Sequence, residues 1–304
     1  MRRILTTLAV LAVIGTAGFW VLSRPAELPA STLAALRAHH ADAANGARVF
    51  WAGGCAGCHA APDIAFNAPI EERLVLGGGR RLTSDFGTFV APNISMHTEA
   101  GIGGWTLEQF ARAMLLGVSP AGAHYYPAFP YTTYLRAAPG DVADLWAFWQ
   151  GLPADATPDQ PHELAFPFTL RRGLGLWKRL YLDAEHPTAA PAEAQTTRGR
   201  YLVEALAHCG ECHTSRGRLG GLDRARWLGG APNPSGEGRI PAIPHPRWSA
   251  EDIEAYLFSG FTPEFDVVGG SMADVVVQMA QLPAEDRAAI AAYLRTLPPP
   301  DDRQ

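Results

Sequence analysis

The chain contains 304 residues, which exceeds an average domain, so we expect two domains. Hydrophobic residues account for 47% of the chain and charged residues for 18%, a balance that favours folded cores and excludes a disordered protein. The formal net charge of −5 argues against a nucleic acid partner, because phosphate binding requires a surplus of lysine and arginine. The 25 prolines and 31 glycines predict short helices joined by long ordered loops.

The N-terminus carries an apolar segment bounded by arginines. Arg2 and Arg3 precede an uncharged run at residues 4–22, and Arg24 follows it. A helix over that run spans about 28 Å, close to the ~30 Å hydrocarbon core of a bilayer. The excess of arginine before the run favours a cytoplasmic N-terminus. We expect residues 1–24 to form a membrane anchor, with a cleaved secretory signal as the alternative, and both place the remaining chain in the periplasm.

The four cysteines occur as two copies of one motif, Cys55-Ala-Gly-Cys58-His59 and Cys209-Gly-Glu-Cys212-His213. Two thiols at this spacing can form thioethers with one haem, and the adjacent histidine can then ligate the iron. A zinc site would leave both histidines unexplained, and a redox dithiol does not require a following histidine. The doubled motif on an exported chain therefore predicts two covalently bound haem c groups.

Helical patterns repeat around the two motifs. Short helical segments at residues 46–51 and 199–206 precede them. A middle helix begins in each half after a tryptophan and a hydroxyl N-cap, at Trp105-Thr106 and at Trp248-Ser249, with a capping partner at the third helical position. A terminal helix with one apolar face ends each half, before Pro153 and before Pro298. This order predicts an all-α chain with two haem domains, residues 40–153 and 193–299.

The residues between the two domains, 154–192, begin with a stretch rich in proline, alanine and aspartate. Aromatic residues, leucines and arginines follow, at residues 162–181. A flexible tether would not carry so many apolar side chains, so we expect an ordered linker that packs across both domains. A basic amphipathic helix on the membrane surface is the alternative.

Short segments outside the haem motifs carry a further signal. They are Phe86-Gly87-Thr88, Ala91-Pro92-Asn93-Ile94, Gly101-Ile102-Gly103-Gly104-Trp105, Tyr126-Pro127-Ala128-Phe129-Pro130-Tyr131, Phe166-Pro167-Phe168 and Gly269-Gly270-Ser271-Met272. Through them the chain resembles the multihaem cytochrome c subunits of membrane-bound alcohol, gluconate and related periplasmic dehydrogenases. Those relatives usually carry three haem domains, so the chain resembles a dihaem branch with two tandem class I cytochrome c-like domains. The resemblance implies electron transfer from a partner dehydrogenase towards quinone or a terminal oxidase.

The sixth iron ligands differ between the two halves. Met272 follows two glycines in a loop where the backbone can approach a haem closely, and the axial methionine of the family falls at this position, so we expect Met272 to ligate the second iron. In the first half Phe129 stands where relatives have a methionine. His124, Met96 or no protein ligand are the alternatives left open there.

Several side chains near the motifs are candidates to bind haem propionates, because a partly buried carboxylate needs a charge or a donor. These candidates are His208, His245, Arg80, Arg81 and Arg216. Trp105 and Trp248 are expected to pack near the haem edges.

These features predict a membrane-anchored dihaem electron carrier at the inner membrane, without catalytic residues of its own. Its expected donor is a periplasmic dehydrogenase, and its expected acceptor is quinone, an oxidase or another cytochrome. A dihaem peroxidase-like enzyme and a gas-binding sensor are the alternatives, since both would use an open first haem. Because Phe129 replaces a methionine, the first haem should have the lower potential and electrons should run from the first haem to the second.

Overall fold

The computed structural model describes residues 1–65, 68–234, 236 and 238–298; residue 299, the expected end of the second domain, lies outside them. Its helices are α1 (Arg2–Leu22), α2 (Ala30–Ala38), α3 (Ala43–Ala52), α4 (Cys55–His59), α5 (Leu107–Leu116), α6 (Tyr131–Tyr134), α7 (Pro139–Trp149), α8 (Leu174–Tyr181), α9 (Ala194–Tyr201), α10 (Cys209–His213), α11 (Ala250–Ser259), α12 (Ser271–Met279) and α13 (Ala284–Thr296). Its strands are β1 (Arg81–Ser84), β2 (Gly87–Val90), β3 (Glu163–Leu164), β4 (Ala231–Pro232) and β5 (Arg239–Ile240). We refer to residues 40–153 as the first half and to residues 193–298 as the second half.

Helix α1 covers the apolar N-terminal run. It is long and apolar enough to cross a membrane, with a mean hydropathy of 2.1, and none of its residues is buried. Its composition and its exposure both suit a lipid environment better than water.

The middle helices α5 and α11 begin and end in the same way. The expected capping boxes are confirmed, with Thr106 and Gln109 bonded reciprocally at the start of α5 and Ser249 and Asp252 at the start of α11. Each capping box satisfies N–H groups that a helix start leaves without a partner.

The first and last helices of each half cross at a glycine. Gly46 of α3 lies against the backbone oxygen of Asp144 in α7, and Gly199 of α9 lies against that of Ala289 in α13. A Cβ atom at either glycine would collide with the facing helix, so only glycine permits such close packing. Most of the buried apolar residues of both halves belong to one continuous cluster.

Small sheets depart from the all-α expectation. Strands β1 and β2 form an antiparallel hairpin in which Arg81 pairs with Val90, and β3 extends it by pairing Glu163 with Thr88. Strands β4 and β5 form a second antiparallel pair. Long loops around a buried site must still satisfy their backbone N–H and C=O groups, and short ladders do so where no helix can form.

The linker contacts both halves. Lys178 of α8 donates to the carbonyl oxygens of Leu116 and Gly117, at 2.6 and 2.7 Å, where α5 ends. On the other side, Trp177 Nε1 donates to the carbonyl oxygen of Leu219 at 2.8 Å. The linker therefore lies against both halves as an ordered segment.

We expect Gly199→Ala to destabilise the haem-loaded protein by about 1–3 kcal/mol, because the added methyl group must push α9 away from α13. Thermal unfolding followed by circular dichroism would measure this change. Gly173→Ala is the matched control, since among the described residues nothing lies within 4 Å of the added Cβ and Gly173 has an ordinary helical φ of −60°. Equal stability of the two variants would contradict the crossing described above.

Candidate haem-attachment sites

Each Cys-x-x-Cys-His motif forms one short helix, α4 in the first half and α10 in the second. The residue before each helix has a left-handed backbone, with φ of +69° at Gly54 and +44° at His208. This turn brings both cysteines and the histidine of a motif onto consecutive turns of one helix, where they can serve a single haem.

The two motif histidines are oriented identically. His59 Nδ1 donates to the carbonyl oxygen of Pro92 at 2.8 Å, and His213 Nδ1 donates to that of Pro241 at 2.7 Å. Because Nδ1 holds the proton in both rings, Nε2 is left as the atom that can bind iron. Burial lowers the pKa of His59 to about 4 and lowers that of His213, which keeps both rings neutral as ligation requires.

A backbone cradle around each histidine is also duplicated. It uses the sequence Leu76-Gly77-Gly78 in the first half and Leu228-Gly229-Gly230 in the second. Its four hydrogen bonds run from Gly78 N to His59 O (2.8 Å), Gly230 N to His213 O (2.7 Å), Ile94 N to Leu76 O (2.9 Å) and Ile243 N to Leu228 O (2.9 Å). Sequence reasoning missed this cradle, although the repeated Leu-Gly-Gly could have revealed it.

The cysteines are poor candidates for a redox dithiol. Burial raises the pKa of Cys55 and of Cys209 to about 12, so both remain thiols at neutral pH. A disulfide oxidoreductase needs the opposite, a cysteine whose pKa is lowered. These cysteines therefore suit thioether attachment rather than thiol–disulfide exchange.

Three buried donors in the second half fit a haem carboxylate. Trp227 Nε1, Trp248 Nε1 and His245 Nδ1 have no hydrogen-bond partner within the part of the chain that the structure describes. The Trp227 ring packs directly over Gly210, inside the second motif, and the His245 and Trp248 ring centroids are 5.3 Å apart. Buried donors are rarely left without an acceptor, and the propionates of a haem in this half would supply one. Trp227 was not among the expected propionate partners.

The arginines expected to bind propionates are paired with protein carboxylates instead. Arg80 lies 2.6 Å from Asp274, Arg216 lies 2.5 Å from Glu211, and Arg81 pairs with Glu163. His208 Nε2 donates to the carbonyl oxygen of Gly53 at 3.2 Å. Of the expected partners, His245 is the one whose ring nitrogen is buried without a protein acceptor among the described residues.

The two motifs lie in direct contact. The hydrogen bond from His208 to Gly53 joins the residue directly before the second motif helix to the residue two positions before the first. Burial raises the pKa of Cys58 against the opposing effect of Arg80, and the proximity of Cys212 adds to the rise. Helix α12 of the second half also reaches the first motif, where Gln278 packs on Gly57.

The structure places Met272 in the first turn of α12, which begins at Ser271, rather than in the expected loop. Its side chain is partly buried and packs against the core. The φ of +58° at Gly270 turns the chain into this helix, so the glycine allows the abrupt start.

The backbone fixes a correspondence between Met272 and Phe129. The carbonyl oxygens of Gly117 and Gly260, which end α5 and α11, accept from Tyr125 N and Val268 N, at 2.7 and 2.8 Å. The same number of residues then separates Tyr125 from Phe129 and Val268 from Met272. Phe129 therefore stands at the position that Met272 occupies in the second half.

The other candidate ligands of the first iron lie in different settings. His124 is buried, and its Nε2 donates to the carbonyl oxygen of Ser23 at 2.9 Å, so its ring faces the end of α1. Met96 is partly buried against the core, and its backbone N–H donates to the carbonyl oxygen of Pro153 at 3.3 Å. His124 therefore binds the chain directly after α1 in this structure.

Comparison with known proteins agrees with this geometry. Residues 196–298 match the cytochrome c family. A diheme cytochrome c-type protein of Cereibacter sphaeroides is 53% identical over 301 residues, covering 98% of this chain and 99% of that protein. The fructose dehydrogenase cytochrome subunit of Gluconobacter japonicus is 34% identical over 307 residues, covering 97% of this chain and 60% of the subunit.

The cytochrome c subunit of a quinone-dependent alcohol dehydrogenase from Gluconobacter oxydans is 32% identical over 302 residues, covering 92% of this chain and 60% of the subunit. The chain thus spans about three fifths of the length of these two dehydrogenase subunits. The resemblance inferred from the loop segments is confirmed, and with it two covalent haem c groups and a role in electron transfer rather than catalysis. The chain belongs to the family of dihaem c-type cytochromes that are related to the cytochrome subunits of dehydrogenases.

Proposed function

We propose that the chain carries electrons from a periplasmic dehydrogenase, through its first and then its second haem site, to quinone, an oxidase or another cytochrome. Residues 1–24 anchor it in the inner membrane, and the domains at 40–153 and 193–299, joined by the linker at 154–192, stand in the periplasm. The haem groups supply one-electron redox chemistry when bound.

The contact between the two motifs carries the proposal. His208 and Gly53 are hydrogen-bonded across the halves; His208 directly precedes Cys209, and Gly53 lies two residues before Cys55. Two covalent attachment points that touch hold their redox groups close together, and the bonded backbone keeps that spacing fixed. An electron carrier with two sites requires such an arrangement, whereas two independent haem proteins would not.

Helix α12 connects the distal side of the second site to the first motif. Met272 lies in its first turn, and Asp274 in the same turn pairs with Arg80 at 2.6 Å. Arg80 in turn donates to the backbone oxygen of Gly57 within the first motif. The proposed ligand of the second iron is therefore positioned by groups that belong to the first site.

Phe129 gives the first site a different distal environment. Its ring lies among Tyr125, Tyr131 and Tyr134, with centroid distances of 5.8, 6.2 and 5.9 Å. A phenylalanine ring carries no donor atom that could ligate iron, and its neighbours here are aromatic. We infer that the first iron lacks a methionine ligand and that the first site has the lower potential.

The same surroundings disfavour a peroxidase-like reaction at the first site. Cleavage of a peroxide bond needs a positioned acid–base group. Tyr134 donates its hydroxyl proton to the carbonyl oxygen of Gly53 at 2.6 Å, and burial raises the pKa of both Tyr131 and Tyr134. The phenols beside Phe129 are therefore weak acids that suit packing rather than proton transfer.

Met272→Leu should open the second iron to external ligands, because leucine has no sulfur atom. The reduced variant should show a carbon monoxide-induced spectral shift of the second haem and a lowered potential in a redox titration. Met279→Leu is the matched control, since Met279 is buried in the same helix and its replacement should leave the spectrum unchanged. If Met272→Leu left the spectrum and the potential of the second haem unchanged, Met272 would not be its iron ligand.

Phe129→Met should add a sulfur donor at the first site. We expect the reduced native protein to bind carbon monoxide at one of its two haems, and Phe129→Met to abolish that binding and raise the lower of the two potentials. Phe129→Leu is the control, because it removes the ring without adding a donor. If the native protein binds no carbon monoxide but Met96→Leu does, Met96 is the ligand and the inference about Phe129 is wrong.

Trp227→Phe should lower the potential of the second haem. Without one N–H donor, the propionate keeps more of its negative charge, and that charge stabilises the oxidised iron. The expected stabilisation is about 0.5–1 kcal/mol, which lowers a one-electron potential by about 20–40 mV. A redox titration measures this shift. Trp177→Phe removes an indole N–H that is bonded to Leu219 and should leave both potentials in place; equal shifts in both variants would contradict the role of Trp227.

A further inference from the structure

The end of helix α1 is fixed to the linker. Arg172 Nη2 donates to the carbonyl oxygen of Trp20 at 2.7 Å, and Arg179 Nε donates to that of Leu22 at 2.5 Å. Ser23 is fully buried, and its hydroxyl oxygen accepts from Arg172 Nε at 2.9 Å. A helix that only tethered a protein to the membrane would not need contacts of this kind at its end.

The contact uses one side of the linker. Arg172, Gly175 and Arg179 recur at helical spacing and so share a face, and a Cβ atom at Gly175 would collide with the backbone of Ser23. The Arg172 guanidinium also lies over the Trp20 ring, 4.4 Å from its centroid. Because the contact involves the backbone of both α1 and the linker, the position of the linker along the axis of α1 is fixed.

Large apolar side chains are exposed beside this contact. Phe166 is 79% exposed and Leu180 is 68% exposed, while Phe168 and Leu170 are also exposed. Leu180 directly follows Arg179, and residues 166–170 lead directly into Arg171 and Arg172. Exposed phenylalanine and leucine interleaved with arginine are typical of a segment that lies at a membrane surface.

We propose that residues 166–180, the interfacial segment, lie in the headgroup region of the bilayer at the end of α1. Their apolar side chains contact the upper part of the lipid acyl chains and hold the haem domains at a fixed orientation to the membrane. This inference rests on the proposed function, because it requires α1 to remain in the bilayer. Continuity with α1 selects lipid as the occupant, since a surface bonded to the last residues of a spanning helix lies at the level of the headgroups.

The test uses the full-length, haem-loaded protein in phosphatidylcholine–phosphatidylglycerol vesicles. Phe166→Cys and Leu180→Cys each provide one thiol for a bimane fluorophore, because the native cysteines are bound to haem. Fluorescence is compared between plain vesicles and vesicles whose lipids are brominated near the headgroup end of the acyl chains, so any quenching by haem is the same in both. Both labels should lose most of their fluorescence in the brominated vesicles.

Two further labels decide the outcome. Phe265→Cys, at a residue that is 88% exposed in the second half, should keep its fluorescence, and Val21→Cys, at the exposed end of α1, should lose it. Quenching at position 21 without quenching at positions 166 and 180 would overturn this inference and leave the anchor intact. Equal quenching at position 265 would show that the domains have no fixed orientation and would also overturn it. No quenching at position 21 would overturn the proposed anchor together with this inference.

Discussion

The two haem motifs meet at the carbonyl oxygen of Gly53, which accepts from Tyr134 at 2.6 Å and from His208 at 3.2 Å. His208 reaches it from a left-handed backbone with φ of +44°, where the first motif has Gly54. A side chain in that conformation costs about 1–2 kcal/mol, which glycine would avoid. Burial lowers the pKa of His208, so the imidazole enters the contact neutral and without the larger cost of burying a charge. The position of each motif relative to the other depends on this contact.

Local signals made much of the fold predictable. The capping boxes at Thr106 and Ser249 could be predicted because they depend on residues that are close together in the sequence. The role of the motif histidines was equally predictable, because the Cys-x-x-Cys-His spacing itself places the histidine beside the two thiols that attach the haem. Helix α12 and the short strands were not predicted, because α12 begins directly after Gly269 and Gly270, which suggest a loop, and because strands of two to four residues leave no clear alternation.

The distant contacts of the site were beyond sequence reasoning. Nothing in the sequence shows that Arg80 faces Asp274 or that His124 faces Ser23, since both pairs form only when separate parts of the chain fold together. Trp227 could have been found through the repeated Leu-Gly-Gly that follows it, which aligns the second motif loop with the first. The signal existed there, but it required a comparison of the halves at the level of loops rather than helices.

A buried carboxylate makes the linker part of the second half. Glu204 lies in a π-helical turn, Leu202–Leu206, and is fully buried. It accepts from His186 at 2.7 Å and from Thr188 at 2.7 Å, and it pairs with Arg200 at 3.2 Å. A buried carboxylate is tolerated only when its hydrogen bonds are complete. Loss of one donor from the linker would therefore destabilise the whole hydrogen-bonded cluster around Glu204. The linker is therefore held at its far end by charge and at α8 by the contacts with α1.

Within the part of the chain that the structure describes, the linker covers the hairpin after α5 in the first half but not the matching hairpin after α11 in the second half, and the two halves differ most at these hairpins. In the first half the hairpin after α5 buries Val118 and His124 beneath Ser23, and Lys178 lies over the Tyr131 ring, 4.4 Å from its centroid. In the second half the matching hairpin exposes Phe261 and Val267. Because Phe129 follows the covered hairpin and Met272 follows the exposed one, the difference between these two corresponding residues coincides with a difference in their surroundings. The attachment of α1 and the linker to the first half thus covers the hairpin that leads to Phe129, and the hairpin that leads to Met272 has no such cover among the described residues.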